Sequence, residues 1–306
     1  MNEKIDLDGK LLIAFIQIII IQYYLLLSIM PLMLIFNRMK KLMILLILLF
    51  NTSGSSAYSQ SPIIGLKSVD IIRGWRQSND VHIAAINISM EKGWKTYWRV
   101  PGVGGIPPLF DWNKSKNIKS ISKIWPTPNI YNEYGLRTIG YKEEFILPIK
   151  IKPIDQKKPI YLEATIDFGI CADVCIPIQT TVEAELPVRT SIGKNRILEV
   201  LDRAIISGSE SPIKVITCDI IPLKDGFEVK ATLENIASFN ENTFGVIEYP
   251  EKPNSWISQK TSLVSGNQLE VIATLYLDGT YFVDRSNLNL TVFSSNKAFE
   301  FDGCLS

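Results

Sequence analysis

The sequence predicts an all-β chain, and three observations predict it. Several stretches alternate apolar and polar residues with a period of two. Gly-, Pro- and Asn-rich turn clusters separate them. Only one stretch, Lys194 to Ser207, has helical spacing. Period-two alternation is what a half-buried antiparallel strand requires. The predicted architecture is an immunoglobulin-like antiparallel sandwich, then a short helix, then a second, smaller β domain. A length of 306 residues fits that organisation, since domains commonly run to about 100–150 residues.

In chain order, Val81–Ser89 is dense in β-branched residues. Phe145–Lys152 sets Phe145, Leu147, Ile149 and Ile151 on one face. Ile160–Phe168 does the same with Ile160, Leu162, Ala164, Ile166 and Phe168, and Thr180–Val188 repeats the pattern. Turn-rich stretches lie between, notably Pro101–Pro108 and Trp125–Asn129. In Lys194–Ser207, Ile197, Leu201, Ala204 and Ile205 recur at helical spacing. Five further strands are expected: Ile213–Asp219, Phe227–Glu234, Thr243–Tyr249, Leu269–Leu277 and Asn287–Phe293. The expected domains are 60–190 for the sandwich and 191–306 for the helix with the C-terminal β domain.

Residues 1–59 form an apolar N-terminal region. Leu11–Phe36 is long enough to span a bilayer, which takes about 20 residues. Met39-Lys40-Lys41, the apolar run Leu42–Phe50 and a small-residue end at Ala57 and Ser59 have the three parts of a secretory signal peptide. An anchor at 11–36 with its N-terminus inside would leave Arg38, Lys40 and Lys41 outside, against the positive-inside tendency. Translation is therefore expected to start at Met39, with a signal peptide over 39–59. Residues from Gln60 onward are expected in the periplasm, with membrane attachment only through an uncleaved N-terminus.

Lys+Arg total 32 against 31 Asp+Glu, a formal charge of +1. That balance offers no concentrated basic face, so no nucleic-acid partner is expected. Four cysteines and one histidine, His82, lack the paired CxxC spacing of a zinc site, so neither a metal nor a cofactor is expected. Five of the six tryptophans, Trp75, Trp94, Trp98, Trp112 and Trp125, admit a sugar-stacking reading or plain core packing. The run Gly102–Gly105 lacks the strand-to-helix context of a phosphate loop.

An even number of cysteines in an exported chain points to two disulfides. Cys171 and Cys175 lie between two strand candidates, so a hairpin would bring them together at its mouth. Closing so short a loop stabilises by roughly 2 kcal/mol in the chain-entropy model, whereas a Cys218–Cys304 bridge would give roughly 4–5 kcal/mol. The long-range pair is thus the better structural staple and the short-range pair the better redox candidate. Short hairpin bridges also serve as local braces, so spacing leaves both roles open. The loop holds Asp173 and no cation, so both thiols are expected at ordinary or raised pKa unless folding brings in a distant base.

Six motifs occur in order: Trp94-Lys-Thr-Tyr-Trp98-Arg-Val-Pro-Gly102, Gly105-Ile-Pro-Pro108, Asn132-Glu-Tyr-Gly135, Ile139-Gly-Tyr141, Phe145-Ile-Leu-Pro148, and Gly169-Ile-Cys171 with Cys175-Ile-Pro177. Over about 65–188 the chain resembles the periplasmic N-terminal domain of DsbD-type thiol:disulfide interchange proteins, especially their stand-alone or ScsB-like relatives. The resemblance implies an immunoglobulin-like sandwich and a thiol:disulfide oxidoreductase or electron-relay role. It implies that Cys175 forms mixed disulfides with partners and that Cys171 resolves them. It makes Tyr131, Asn132, Glu133 and Tyr134 the counterpart of the family's cap loop. Its partners would be thioredoxin-like periplasmic redox proteins, including those of cytochrome maturation. No multi-span segment and no thioredoxin CxxC follows Cys175 in the sequence, so the membrane electron donor is expected on another chain. The competing expectation is a non-catalytic exported sandwich that binds a partner or a glycan, with both disulfides structural.

Overall fold

Alternating burial along the strands reproduces the predicted faces and fixes how the sheets stack. The computed structural model describes residues 16–24, 40–43, 63–102, 104–133, 135–236, 239–240, 242–250, 256–277, 282–294 and 296–304. Residues 16–24 and 40–43 are helical. No helix among the described residues is long and apolar enough to cross a membrane. The rest of the N-terminal region, including the expected signal-peptide cleavage site, lies outside them.

Ten strands make the first sandwich: β1 (Leu66–Arg76), β2 (His82–Met90), β3 (Lys95–Gly102), β4 (Leu109–Asp111), β5 (Ile118–Lys123), β6 (Asn129–Glu133), β7 (Leu136–Lys142), β8 (Glu144–Pro153), β9 (Ile160–Cys171) and β10 (Cys175–Leu186). One sheet has the order β1-β2-β8-β5. The other has the order β10-β9-β3-β7-β6, with β4 also paired to β9. All of these pairings are antiparallel. Ile160, Leu162, Ala164, Ile166 and Phe168 point inward from β9 and are buried, as their alternation predicts.

β2 and β8 are buried on both faces, which alternation alone does not anticipate. The second cover is helix α1 (Lys194–Leu201), whose Ile197 and Val200 pack on Ile72, Ile83, Ala85 and Ile146. The helix is shorter than its sequence pattern. The chain beyond it is drawn into extended pairing, with Thr127 N–H donating to Arg203 O and Ile205 N–H to Trp125 O. Ala204 and Ile205 therefore end in a bridge and not on a helical face.

The second half holds β11 (Ile206–Ser207), β12 (Ile213–Leu223), β13 (Gly226–Asn235), β14 (Phe244–Glu248), β15 (Trp256–Ser265), β16 (Gln268–Tyr276), β17 (Asn289–Ser294) and β18 (Lys297–Asp302). Its two sheets have the orders β12-β13-β16-β15 and β11-β18-β17-β14. The described β11–β18 pairing is parallel. Cys218 of β12 is disulfide-bonded to Cys304 just beyond β18, with both residues buried. This bridge ties one sheet to the other.

Pro62–Ser306 is one compact unit, because the β14-β17-β18 sheet is buried on both sides. Ile247, Leu290, Val292 and Phe299 face their own sandwich. Phe244, Val246, Phe293 and Ala298 enter the first core beside Trp98, Trp125 and Tyr141. At this seam Arg99 donates to both oxygens of Glu248 at 2.9–3.0 Å and also pairs with Glu300. Its guanidinium lies 4.4 Å from the Trp98 ring. Trp98 and Trp125 are core residues, as the packing reading of the tryptophans has it.

Candidate functional site

β9 and β10 continue further than their alternation suggests, right up to the cysteines. Cys171 ends β9, Cys175 begins β10, and the two are paired directly across the ladder. Only Ala172, Asp173 and Val174 form the turn. The Cα atoms are 4.1 Å apart and the sulfurs are bonded. β10 is an edge strand, and Pro177 within it removes one donor from that open edge.

The two sulfurs have different surroundings. Cys171 lies on the outer face of its sheet, yet it is only 1% exposed. Tyr97 of β3 lies against it, and the 104–108 loop packs on Tyr97 and on Gly169 beside it. The Tyr97 hydroxyl donates to Cys171 Sγ at 2.8 Å and lies 3.4 Å from Cys175 Sγ. Ile106 packs over Gly169, where an added Cβ would fall 2.7 Å from Ile106 Cβ. Gly105 allows the same loop to press on Tyr97, since a Cβ there would lie 2.7 Å from the ring. Cys175, in contrast, is exposed beside Val174, which is 69% exposed, and the half-buried Ile176. Of the two cysteines, Cys175 is the exposed residue and Cys171 the buried one.

The fold also supplies cations that the loop sequence lacks. Lys95 of β3 pairs with Cys171 on one side and with Lys142 of β7 on the other. Lys142, Lys95, Cys171 and Cys175 therefore form one rung across four strands. Directly paired residues project from the same face of a sheet. Lys95 is 6% exposed, and its ammonium donates to Thr138 Oγ1 at 3.4 Å.

The cap counterpart is a hairpin arm and not a loop. Tyr131, Asn132 and Glu133 lie in β6 and pair with Thr138, Arg137 and Leu136 of β7. Tyr134 and the Glu133 side chain lie outside what is described. The Tyr131 ring sits beside the rung, with Lys142 Nζ 4.4 Å and Lys95 Nζ 5.2 Å from its centroid.

Sequence reasoning assigned no role to Tyr97, Lys95, Ile106 or Gly105. The first two sit in the Trp94–Gly102 motif, and Gly105 belongs to a glycine run set aside because it forms no phosphate loop. Its task is close approach of backbone to a tyrosine ring.

The family model for the N-terminal domain of thiol:disulfide interchange protein DsbD matches residues 69–187. No curated protein sequence matches the chain. Among solved structures, the N-terminal periplasmic domain of ScsB from Proteus mirabilis is similar at a TM-score of 0.55 and 18% identity. The match covers 78% of this chain and 91% of that one. It extends the shared fold over both sandwiches. A marsupial T cell receptor aligns at a TM-score of 0.17 and 8% identity, over 79% of this chain and 97% of that one, and carries no weight. With the family motif set, the sandwich and the paired cysteines at the β9–β10 turn in agreement, residues 69–187 are a DsbD-type thiol:disulfide interchange N-terminal domain.

Proposed function

We propose that the chain is a periplasmic thiol–disulfide relay in which the Cys171–Cys175 pair passes electrons between exported redox proteins. The observation that carries this reading is the asymmetry of the pair. Cys175 is exposed on an edge strand, and Cys171 is buried with the Tyr97 hydroxyl on its sulfur. An exchange site needs one sulfur that a partner reaches and one that only its neighbour reaches. Cys175 is accordingly the sulfur that forms mixed disulfides, and Cys171 resolves them. The partners are thioredoxin-like proteins, with a membrane electron donor on another chain.

The Cys218–Cys304 bridge is the structural one, buried within the second sandwich. Residues 131–134 form the cap, with Tyr131 stacked beside the two lysines.

A Cys171→Ala variant tests the reading. Its Cys175 should trap a periplasmic thioredoxin-like protein as a mixed disulfide that reductant releases. The reduction potential of the pair should also lie above about −300 mV, the range below which resistant structural bridges fall. A lower potential together with an empty trap would favour the brace.

A further inference from the structure

We propose that the cleft lined by β6 and the β17–β18 hairpin docks an extended, acidic segment of another protein, which adds as a strand to the open edge of β6. The cleft encloses about 840 Å³. Ile146 of β8, Val200 of α1 and Phe293 of β17 give it apolar lining. Along Pro126–Tyr131 every residue lines it in an unbroken run. Side chains of a strand alternate between two faces, so an unbroken run presents a backbone edge and not a face. β6 ends its sheet, and among the described residues no strand other than β7 pairs with it. An edge strand turns N–H and C=O groups outward at every second residue, which is a template for another chain.

The chain already uses this edge one step upstream. Thr127 N–H donates to Arg203 O, Ile205 N–H donates to Trp125 O, and Pro126 bridges Ala204 in antiparallel fashion. That pairing stops where Ile206 leaves to join β18, and Pro128 has no N–H to carry it further. The edge beginning at Asn129 is left lining the cleft. An extended polypeptide matches such an edge along its length, and strand addition is a common mode of peptide recognition.

Charge selects the kind of segment. Arg203 and Lys297 both line the cleft and are exposed. Among the described residues no ion pair engages either of them. Of the two acids that line the cleft, Glu144 is paired with Arg196, which leaves Asp202. Arg203 and Lys297 therefore outweigh the remaining acid, and a segment bearing carboxylates complements them. Tyr131, at the end of the lining run, also sits beside the cysteine rung. A docked segment would hold its own protein next to the pair and raise its effective concentration at Cys175. That consequence rests on the relay reading, whereas the docking itself does not.

The test selects binders to the full chain from a displayed library of random linear peptides. Recovered peptides should carry Asp or Glu within an alternating sequence free of proline. A synthetic copy of the commonest should slow amide hydrogen exchange within residues 129–132. Strand addition uses one edge of the peptide. N-methylation at every second residue should thus abolish binding in one register and spare it in the other. Arg203→Glu with Lys297→Glu should weaken binding roughly tenfold, as for two exposed charge contacts reversed. Both residues are exposed, so this variant should fold, and the methylated peptides leave the protein untouched in any case. No recovered peptide, peptides without acidic residues, protection elsewhere, or indifference to both methylation registers overturns the proposal. Protection of residues 129–132 that grows with protein concentration in the absence of peptide would make a second copy the occupant, and overturns it equally. Binding as expected together with an empty Cys175 trap would count against the relay and leave the docking site standing.

Discussion

The hydroxyl of Tyr97 donates to Cys171 Sγ at 2.8 Å while lying 3.4 Å from Cys175 Sγ, so one phenol touches both sulfurs of the pair. That contact strengthens when the pair is reduced, because a thiolate is a better acceptor than a disulfide sulfur. Tyr97→Phe should therefore weaken the reduced state relative to the oxidised one. A hydrogen bond worth roughly 1 kcal/mol corresponds to about 20 mV for a two-electron couple. The expected result is a reduction potential lower by about that amount, with unchanged far-UV circular dichroism. Equilibration against a glutathione buffer measures it.

The two disulfides should differ in what they contribute to stability. Cys171–Cys175 spans a sequence separation of 4, and Cys218–Cys304 one of 86. In the chain-entropy model these correspond to roughly 2 and 4–5 kcal/mol. Cys171→Ser with Cys175→Ser should accordingly leave a folded protein with a modestly lower urea midpoint. Cys218→Ala with Cys304→Ala should lose about twice as much and loosen the second sandwich first. Urea unfolding followed by near-UV circular dichroism separates the two cases.

How much of this was legible in sequence depends on which contacts set each feature. The β9 face was readable because Ile160, Leu162, Ala164, Ile166 and Phe168 face one core, and local alternation records that directly. β6 and β7 were not read as strands, because Ile130, Ile139 and Tyr141 are too few to set up an alternation, while Tyr131, Thr138 and Gly140 lie on the other face, that of the cysteine rung. The helix was over-extended because Ala204 and Ile205 satisfy a helical pattern while their backbone pairs with residues 125–127. The cysteine pair was legible from its spacing and flanking motifs. Its lysines were not, because a rung across four strands joins residues 95, 142, 171 and 175, and only register reveals that.

Arg99 joins the two sandwiches and should be hard to replace. Burial opposes its charge, but Glu248 and Glu300 outweigh burial and hold its pKa above the ordinary value. Glu248 shows the opposite balance, since burial raises its pKa in spite of Arg99. The cluster is thus costly to assemble and costlier to break. Arg99→Met leaves two carboxylates facing each other in a buried seam, a loss of about 3–5 kcal/mol at neutral pH. Without the guanidinium, burial acts unopposed on Glu248 and its folded pKa rises further above the unfolded one. The penalty is then present above the folded value and shrinks as pH falls through it toward the unfolded one. The deficit against wild type should narrow between pH 7 and mildly acidic pH in urea titrations.

His82 should give the fold an acid-sensitive point away from the cysteines. It is fully buried, its Nε2 lies 2.7 Å from the Arg73 carbonyl, and its Nδ1 lies 3.3 Å from Arg76 Nε. A carbonyl only accepts and a guanidinium only donates, so Nε2 carries the proton and the ring is neutral. Burial lowers its pKa and Arg76 lowers it further, while the Arg73 carbonyl works the other way. A base with a depressed folded pKa binds fewer protons folded than unfolded between the two values. Its contribution is therefore fully present above the unfolded value near 6.5 and declines as pH falls from there toward the folded value. His82→Gln removes the titration while keeping a donor and an acceptor, so its stability should be lower at neutral pH but flatter with pH across that window. Thermal unfolding at a series of pH values reads the slope directly. A wild-type slope equal to that of His82→Gln would mean that the ring does not stay neutral on folding.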